Sequence, residues 1–257
     1  GLALAQRHSL PEIVGRILAA RGIDVDTAED FLNPQLRRLL PDPSQLLDMD
    51  VAARRLADAV IKDEKLAVFG DYDVDGATSS ALLKRFFQAI DHDISIYIPD
   101  RMVEGYGPNL PALLKLKEEG ADIVITVDCG IVAFDALSGA QDAGLEVIVV
   151  DHHLAEPNLP PAVAVVNPNR LDDPSPHKHL AAVGVTFLLI VAVNRVLRDR
   201  GWFAERKEPD LMQWLDIVAL GTVCDVVSLI GVNRALVTQG LKVMGSRCNE
   251  GIAALSP

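Results

Sequence analysis

The sequence has few aromatic residues, few cysteines and no long hydrophobic run. Aromatics make up 5% of its 257 residues, so any core must be mainly aliphatic. Three dispersed cysteines, Cys129, Cys224 and Cys248, lack paired spacing, which excludes a disulfide framework or a thiolate zinc motif and fits a reducing cytoplasm. The longest nearly apolar run, 181–193, has 13 residues, whereas a membrane-spanning helix needs about 20. We therefore expect a cytoplasmic protein without a membrane segment.

Positive charge is also scarce. Lys and Arg total 24 against 36 Asp and Glu, which gives a net charge of −12. This balance argues against a nucleic-acid binder that relies on a basic patch. It does not exclude nucleic acid, because cations bound by clustered carboxylates reverse the local field. The apolar fraction of 49% and the charged fraction of 23% are typical of a globular protein and exclude a disordered one.

The pattern of apolar residues divides the chain into three parts. Helical spacing punctuated by prolines predicts a helical N-terminal extension, residues 1–64, that packs on the main domain. Over residues 65–230, short aliphatic runs alternate with amphipathic stretches, with strands predicted at 66–69, 94–98, 122–127, 146–150 and 162–166. This alternation predicts an α/β fold, a parallel sheet with helices on both faces, followed by further helices. Residues 231–257 are predicted to be a C-terminal helical segment, without a clear element after residue 250.

Polar side chains follow three of the predicted strands at the point where each strand ends. The sequence Asp71-Tyr72-Asp73-Val74-Asp75-Gly76 follows the first strand, Asp128-Cys129-Gly130 the third, and Asp151-His152-His153 the fourth. In open α/β sheets, the site lies outside the carboxyl ends of the strands. If these strands are neighbours, carboxylates and imidazoles converge on one edge, where like charges repel strongly without cations.

Each motif also has a plain structural explanation. The first resembles the start of a calcium loop but lacks the bidentate Glu at the twelfth position, so a surface turn with helix-capping aspartates is the better alternative. Asp128 could stand in an ordinary strand-ending turn. Asp225 lies between apolar residues, where an unpaired carboxylate is costly to bury. It therefore needs a salt bridge, a helix cap or a role as a ligand that completes the site.

The mixture of carboxylates and imidazoles indicates which metal would bind. Carboxylates and neutral imidazoles suit Mn²⁺ or Mg²⁺ more than a structural zinc, which prefers thiolates. Two divalent ions bridged by a carboxylate would activate water and clamp a scissile phosphate. The implied chemistry is phosphoester hydrolysis.

These motifs resemble the four successive motifs of the DHH phosphoesterase superfamily. The longer strings VFGDYDVDGATSSALL, PDRMVEGYG, ITVDCGI, VIVVDHH, AAVGVTF and LDIVALGTVCDVVSL are similar to its RecJ-type branch over almost the whole chain. That branch consists of single-strand-specific 5′ to 3′ DNA exonucleases. The resemblance implies a hydrolase that acts on single-stranded DNA in repair and recombination. A single-strand-binding protein or a helicase is an expected partner class, and a monomer is expected.

The resemblance also implies roles for individual residues. The implied ligands of two Mn²⁺ or Mg²⁺ ions are Asp73, Asp75, Asp128, His152 and Asp225, with Asp128 as the bridge. His153 would contact the scissile phosphate or assist proton transfer. The pyrophosphatase branch has a ligand His where this chain has Phe69, which argues against a pyrophosphatase and leaves Asp71 as the substitute.

Two arginines are implied to bind the phosphates of the substrate, Arg101 and Arg234, since guanidinium binds phosphate bidentately. The alternatives are a loop ion pair between Arg101 and Glu104, and a helix-start surface position for Arg234. Four other residues are predicted to lie outside the chemistry: Cys129 and Cys224 as small buried packing residues, and His177 and His179 as solvated loop residues.

Two other functions share these motifs. A DHH phosphodiesterase of short oligonucleotides or cyclic dinucleotides usually lacks so long a helical N-terminal region. A non-catalytic replication scaffold, like the replicative-helicase cofactor branch, has no need to hold so many carboxylates together. RecJ-type enzymes continue into a second domain and an oligonucleotide-binding barrel, so we expect this chain to be a piece with weaker or less processive hydrolysis.

Overall fold

The computed structural model describes residues 1–255. Within them, the strands are β1 (Leu66–Gly70), β2 (Ile94–Tyr97), β3 (Ile123–Val127), β4 (Glu146–Val150) and β5 (Ala164–Val166). The α-helices are α1 (Leu2–Arg7), α2 (Glu12–Ala20), α3 (Ala28–Leu32), α4 (Leu36–Leu39), α5 (Met49–Lys62), α6 (Val74–Ala89), α7 (Leu110–Glu118), α8 (Phe134–Asp142), α9 (Ala182–Asp199), α10 (Leu215–Cys224), α11 (Gly231–Gly245) and α12 (Glu250–Leu255). Short 3₁₀ turns occupy Pro43–Gln45, Trp202–Ala204 and Leu211–Trp214.

All five strands are parallel and lie in the order β2-β1-β3-β4-β5. Side chains alternate between the two faces of the sheet, as the period of two in a strand requires. In β1, Leu66 and Val68 join the core formed with α5, α6 and α9, whereas Ala67 and Phe69 join the core formed with α7 and α8. Helices thus cover both faces, and the predicted α/β fold is confirmed.

The register of the sheet determines where the strand ends meet. The final residues of β1, β3, β4 and β5 stand side by side: Gly70, Val127, Val150 and Val166. The ladder continues one residue further, because the N–H groups of Asp71, Asp128 and Asp151 donate to the carbonyl of the neighbouring strand at 3.0 to 3.2 Å. These three aspartates therefore lie in one row at the carboxyl edge of the sheet.

The region before the sheet contains α1 to α5. Leu4, Leu18 and Ala28 form a small cluster of their own between α1, α2 and α3. Helix α5 instead buries Leu56 and Val60 in the main core. Helix α5 thus packs against β5 and α9, whereas α3 and α4 contact α11.

Helix α6 begins at Val74, directly after Asp73, which caps it. The prediction of no clear element after residue 250 is wrong for residues 251–255, which lie in α12, where Asn249 Oδ1 accepts from the Ile252 N–H at 3.3 Å. The last two residues of that segment, 256–257, lie outside the described residues. None of the helices within residues 1–255 is long and apolar enough to cross a membrane.

Candidate metal centre

The turn after β1 places three aspartates at the carboxyl edge. Asp73 is the N-cap of α6, and its Oδ1 accepts the Gly76 N–H at 3.0 Å. A Cβ at Gly76 would lie 2.5 Å from the Asp71 carbonyl oxygen, so only glycine allows the helix to start this close to the turn. The cap uses one oxygen of Asp73, so capping and a ligand role are compatible. Asp71 is buried, its Oδ1 has no hydrogen-bond partner, and burial raises its pKa.

Asp75 is held by the N-terminus of α9. Its Oδ2 accepts the Ala182 N–H at 2.6 Å, and its Oδ1 accepts the Val183 N–H at 2.8 Å. The side chain is only 1% exposed, and burial raises the pKa of Asp75 to about 6 in spite of these bonds. The helix N-terminus therefore offsets part of the cost of burying this carboxylate.

Asp128 is the least compensated carboxylate at this edge. Its backbone is left-handed (φ 61°), a conformation that Asp adopts more readily than most residues. Both carboxylate oxygens are buried and have no hydrogen-bond partner among residues 1–255. Burial, with the like charges of Asp75 and Asp73 nearby, raises the pKa of Asp128 to about 8. Without a cation, Asp128 and the facing His152 favour a shared proton at neutral pH.

His152 directs its unprotonated ring nitrogen, Nε2, toward Asp128. Its Nδ1 lies 3.1 Å from the Leu180 carbonyl oxygen, which can only accept, so Nδ1 carries the proton. Its Nε2 is buried without a hydrogen-bond partner, 3.3 Å from Asp128 Oδ1 and 3.9 Å from Asp75 Oδ2. Burial lowers the pKa of His152, but the surrounding carboxylates outweigh it and raise the value to about 9.

Asp225 comes from the end of α10 and reaches the other side of His152. Its Oδ2 is 3.7 Å from His152 Nδ1 and is buried without a hydrogen-bond partner. Burial raises its pKa, and Asp73 adds to this effect. In the part of the chain that the structure describes, no hydrogen bond or cap satisfies this oxygen, and the carboxylate faces the acidic edge.

Asp151 and His153 form a separate pair beside this cluster. The fully buried Asp151 accepts backbone N–H groups from Ile131 at 3.0 Å, His152 at 2.7 Å and His153 at 3.1 Å. Its Oδ1 also lies 2.7 Å from His153 Nδ1. Burial would raise the pKa of Asp151, but these bonds lower it, and the same pair raises the pKa of His153. His153 Nδ1 therefore donates to Asp151, which leaves Nε2 of this half-exposed ring free.

The ligand atoms fall into three overlapping groups in which all atoms lie within 4.8 Å of one another: Asp71, Asp73 and Asp128; Asp75, His152 and Asp225; and Asp128, His152 and His153. Asp128 and His152 each belong to two groups. Buried polar atoms without partners carry a desolvation cost of about 1–3 kcal/mol each. Divalent cations would satisfy the bare oxygens and the bare imidazole nitrogen together, so the residues present fit a centre with two adjacent cation positions.

The two predicted phosphate-binding arginines have different surroundings. The Arg101 guanidinium lies 5.1 Å from the ring centroid of Tyr72, within the first motif, and Arg101 is exposed. The alternative ion pair is not formed, because Glu104 bonds to neighbouring residues of its own loop and β2. The Arg234 guanidinium instead lies 4.0 Å from the ring centroid of Phe31, and its Nε donates to the Phe31 carbonyl at 2.6 Å. Arg101 therefore stands at the rim of the acidic edge, whereas Arg234 anchors α3.

The remaining predictions have mixed outcomes. Phe69 is fully buried in the core, and Cys129 is buried as predicted. Cys224 is exposed at the end of α10, so its predicted burial is wrong. His177 and His179 are half-buried rather than solvated, because their loop folds against the N-terminal segment and α11.

Sequence reasoning missed two residues of the site. Asp151 belongs to the Asp151-His152-His153 motif, but its sequence context indicates no separate role for it. The Tyr106 hydroxyl donates to the Asp128 carbonyl at 3.2 Å and lies 3.4 Å from His153 Nδ1. Tyr106 and Asp128 are 22 residues apart, and no local pattern indicates that contact.

Comparison with known families identifies the domain. The family model described as "DHH family, N-terminal domain" matches residues 65–222. The chain belongs to the DHH family. All the carboxylates and imidazoles of the metal centre except Asp225 lie within the matched part of this DHH chain.

Two relatives of the DHH chain are described as the single-stranded-DNA-specific exonuclease RecJ. The Salmonella typhimurium protein is 42% identical over 96% of this chain, and the Bacillus subtilis protein is 36% identical over 93%. The chain spans 43% and 29% of the length of these two relatives.

Solved structures give the same resemblance. A crystal structure of exonuclease RecJ bound to manganese matches 82% of the chain with a TM-score of 0.72 and 34% identity, and the match covers 51% of that protein. RecJ from Thermus thermophilus in complex with Mn²⁺ matches 82% of the chain with a TM-score of 0.67 and 32% identity, over 29% of its own length. The resemblance to the RecJ-type branch that the motifs indicate is therefore confirmed.

Proposed function

We propose that this chain is the catalytic part of a metal-dependent exonuclease that hydrolyses single-stranded DNA from the 5′ end. The observation that carries the proposal is the Asp128 carboxylate, which is buried without a hydrogen-bond partner where two groups of ligand atoms meet. A carboxylate in that position suits the bridging of two cations. The names of the RecJ relatives supply the substrate class.

In this proposal, five side chains hold two Mn²⁺ or Mg²⁺ ions: Asp73, Asp75, Asp128, His152 and Asp225. Asp71 lies in the same group of ligand atoms as Asp73 and Asp128 and fills the role of an additional acceptor there. When bound, the cations supply Lewis acidity toward a phosphate and lower the pKa of water. The Leu180 carbonyl keeps His152 in the tautomer that presents Nε2 to this centre.

The Asp151–His153 pair acts as a proton donor in the proposed reaction. Because Asp151 fixes Nδ1 of His153, the ring presents Nε2 to a phosphate at the surface. The raised pKa of His153 keeps the ring protonated more readily, so it can donate to a phosphate oxygen or to the leaving oxygen. The Tyr106 hydroxyl, beside His153 and the Asp128 carbonyl, limits the movement of this ring.

We propose that Arg101 binds a phosphate at or next to the 5′ terminus. Its guanidinium lies over Tyr72, beside the first motif, and no ion pair within residues 1–255 occupies it. With a net charge of −12, the chain attracts DNA only where such a cation or a bound metal reverses the local field. Phosphate binding by Arg234, a single-strand-binding protein or helicase partner and a monomeric state remain predictions.

The test is a digest of single-stranded DNA labelled at its 5′ or its 3′ end. The chain spans less than half of its named relatives, so enzyme is used in excess under single-turnover conditions with Mn²⁺, Mg²⁺ or chelator. We expect 5′-labelled mononucleotide as the first product and no cleavage in chelator. Release of the 3′ label first, or cleavage confined to oligonucleotides of a few residues, would contradict the proposal. The second outcome would favour a short-oligonucleotide phosphodiesterase.

A further inference from the structure

Residues 167–183, here called the rear loop, run from the end of β5 into the start of α9 behind the two histidines. Asn167 directly follows Val166, so it continues the row of strand-end residues that contains Asp151. It is fully buried, and Asn169 is half-buried.

The two amides of the rear loop bind the backbone of the two histidines. Asn169 Nδ2 donates to the His152 carbonyl at 2.5 Å and to the Lys178 carbonyl at 3.1 Å. Asn167 Nδ2 donates to the His153 carbonyl at 2.9 Å, and its Oδ1 accepts the Asn169 N–H at 2.7 Å. Each histidine carbonyl therefore has its own amide donor.

These bonds complete a clamp on the dipeptide. Asp151 accepts hydrogen bonds from the backbone N–H groups of His152 and His153. The two amides donate to the backbone carbonyls of the same two residues. A backbone held through both its N–H and its C=O groups has little freedom to rotate, and the ring positions follow the backbone. The imidazole nitrogens are thereby fixed relative to the carboxylates of the neighbouring strands.

The far end of the rear loop contacts the cluster directly. Leu180 provides the carbonyl that accepts from His152 Nδ1, and the N–H groups of Ala182 and Val183 bind Asp75. The rear loop therefore fixes the backbone conformation of His152, the tautomer of its ring and the orientation of the Asp75 carboxylate.

The rear loop is itself firmly anchored. Lys178 Nζ donates to the carbonyls of Pro168 at 2.5 Å and Asp173 at 2.9 Å, which closes the loop on itself. Arg170 is buried and forms an ion pair with Asp48, at the start of α5, at 2.6 Å. These attachments make the loop a rigid support for the amides.

We propose that Asn167 and Asn169 are positioning residues that set the cation affinity of the centre through the carbonyls of His153 and His152. This inference rests on the proposed cation site. Groups that orient metal ligands typically change metal affinity by about 10- to 100-fold when they are removed. We expect a change of that size from the loss of either amide donor.

The test is a titration of the purified chain with Mn²⁺, followed by the electron paramagnetic resonance signal of free Mn²⁺. Asn169→Asp keeps the shape of the side chain but removes both donors and adds a negative charge. Charge attraction alone would tighten Mn²⁺ binding, whereas loss of positioning weakens it, so the two explanations predict opposite signs. We expect Asn169→Asp and Asn169→Ala to bind Mn²⁺ about 10-fold or more weakly than the wild type.

Asn194→Ala is the matched control. Asn194 is a buried amide on α9 that donates to Glu208 at 2.6 Å and belongs to a different network. We expect it to lose stability without loss of Mn²⁺ affinity. If the Asn169 variants do not fold, Asn167→Asp serves in their place, because it keeps the oxygen that accepts the Asn169 N–H, loses the donor to His153 and adds the same negative charge as Asn169→Asp.

The outcomes separate this inference from the proposed function. If the wild type does not bind Mn²⁺, the proposed function fails first. If the wild type binds and the Asn169 and Asn167 variants bind equally well or more tightly, the positioning role is wrong while the cation site stands. An equal loss of affinity in Asn194→Ala would also overturn the positioning role, because it would show a general effect of destabilisation.

Discussion

Nε2 of His152 lies 3.3 Å from Oδ1 of Asp128, and neither atom has a hydrogen-bond partner in the described range 1–255. Because Nδ1 of His152 keeps its proton and donates it in a hydrogen bond to the Leu180 carbonyl, the two facing atoms are both acceptors. Two buried acceptors at this distance repel each other unless a proton or a cation lies between them. The cation-free chain therefore takes up a proton here that a bound cation would displace.

This competition predicts how Mn²⁺ affinity depends on pH. Burial raises the pKa of Asp128 to about 8. The bound proton therefore stabilises the folded, cation-free protein at low pH, and this contribution to the free energy of unfolding is lost as the pH rises through about 8. Mn²⁺ binding releases the proton, so the affinity should rise by up to roughly tenfold per pH unit between about pH 6 and 8. Calorimetric titrations in buffers of different ionisation enthalpy measure both effects. An affinity that is independent of pH, with no proton released, would count against the shared proton.

Replacement of Asp128 tests the bridge itself. Asp128→Asn keeps the volume but removes the charge, so we expect no rise in Tm with millimolar Mn²⁺ and no hydrolysis. The metal-free variant should be at least as stable as the wild type, because an uncompensated buried carboxylate is gone. Asp216→Asn is the control, since Asp216 is a buried carboxylate in the first turn of α10, at the opposite end of that helix from Asp225. Comparable loss of the Mn²⁺ response in both variants would remove the special role of Asp128.

Replacement of Phe69 separates packing from chemistry. Phe69 is fully buried, so Phe69→Ala should lower the free energy of unfolding by about 3–5 kcal/mol. Because its side chain points into the core beneath the sheet, Mn²⁺ affinity of the folded protein should not change. Urea unfolding with and without Mn²⁺ measures both quantities. A folded Phe69→Ala protein that no longer responds to Mn²⁺ would contradict this division.

Recognition of the 5′ end is tested at Arg101. Arg101→Lys keeps the charge but loses the planar guanidinium that binds phosphate through two N–H groups. Losing one charge-assisted hydrogen bond should raise the activation free energy by roughly 1.5–3 kcal/mol. The rate of cleavage of 5′-phosphorylated strands should therefore fall by about one to two orders of magnitude. Mn²⁺ affinity should be unchanged. Single-turnover rates on matched 5′-phosphate and 5′-hydroxyl oligonucleotides provide the measurement, with Arg16→Lys, an exposed arginine on α2, as the control. An equal loss on both substrates would show that Arg101 does not recognise the end.

Much of this architecture follows from local sequence. The aliphatic runs predict the strands because buried parallel strands are apolar on both faces, and each acidic motif directly follows such a run. Since parallel strands end at one edge, the convergence of Asp71, Asp128 and Asp151 follows once the strands are neighbours. The structure makes them neighbours, in register.

Other features depend on contacts between distant residues. Arg234 binds Phe31, 203 positions away, where the sequence shows only a cation at the start of a helix. The exposure of Cys224 depends on the direction in which the last turn of α10 faces. Asp151 looks like a ligand by its type, but its oxygens are already taken by backbone N–H groups and His153. Only the hydrogen-bond geometry distinguishes it from Asp128.

Whether the carboxyl edge of this sheet holds divalent cations is tested by a Mn²⁺ titration of the wild-type chain, followed by calorimetry and thermal unfolding. We expect two ions per chain with micromolar or tighter affinity. At 1 mM Mn²⁺ and a Kd near 1 μM, each site should stabilise the folded state by about 4 kcal/mol. Absence of binding up to millimolar Mn²⁺, with an unchanged Tm, would contradict the account.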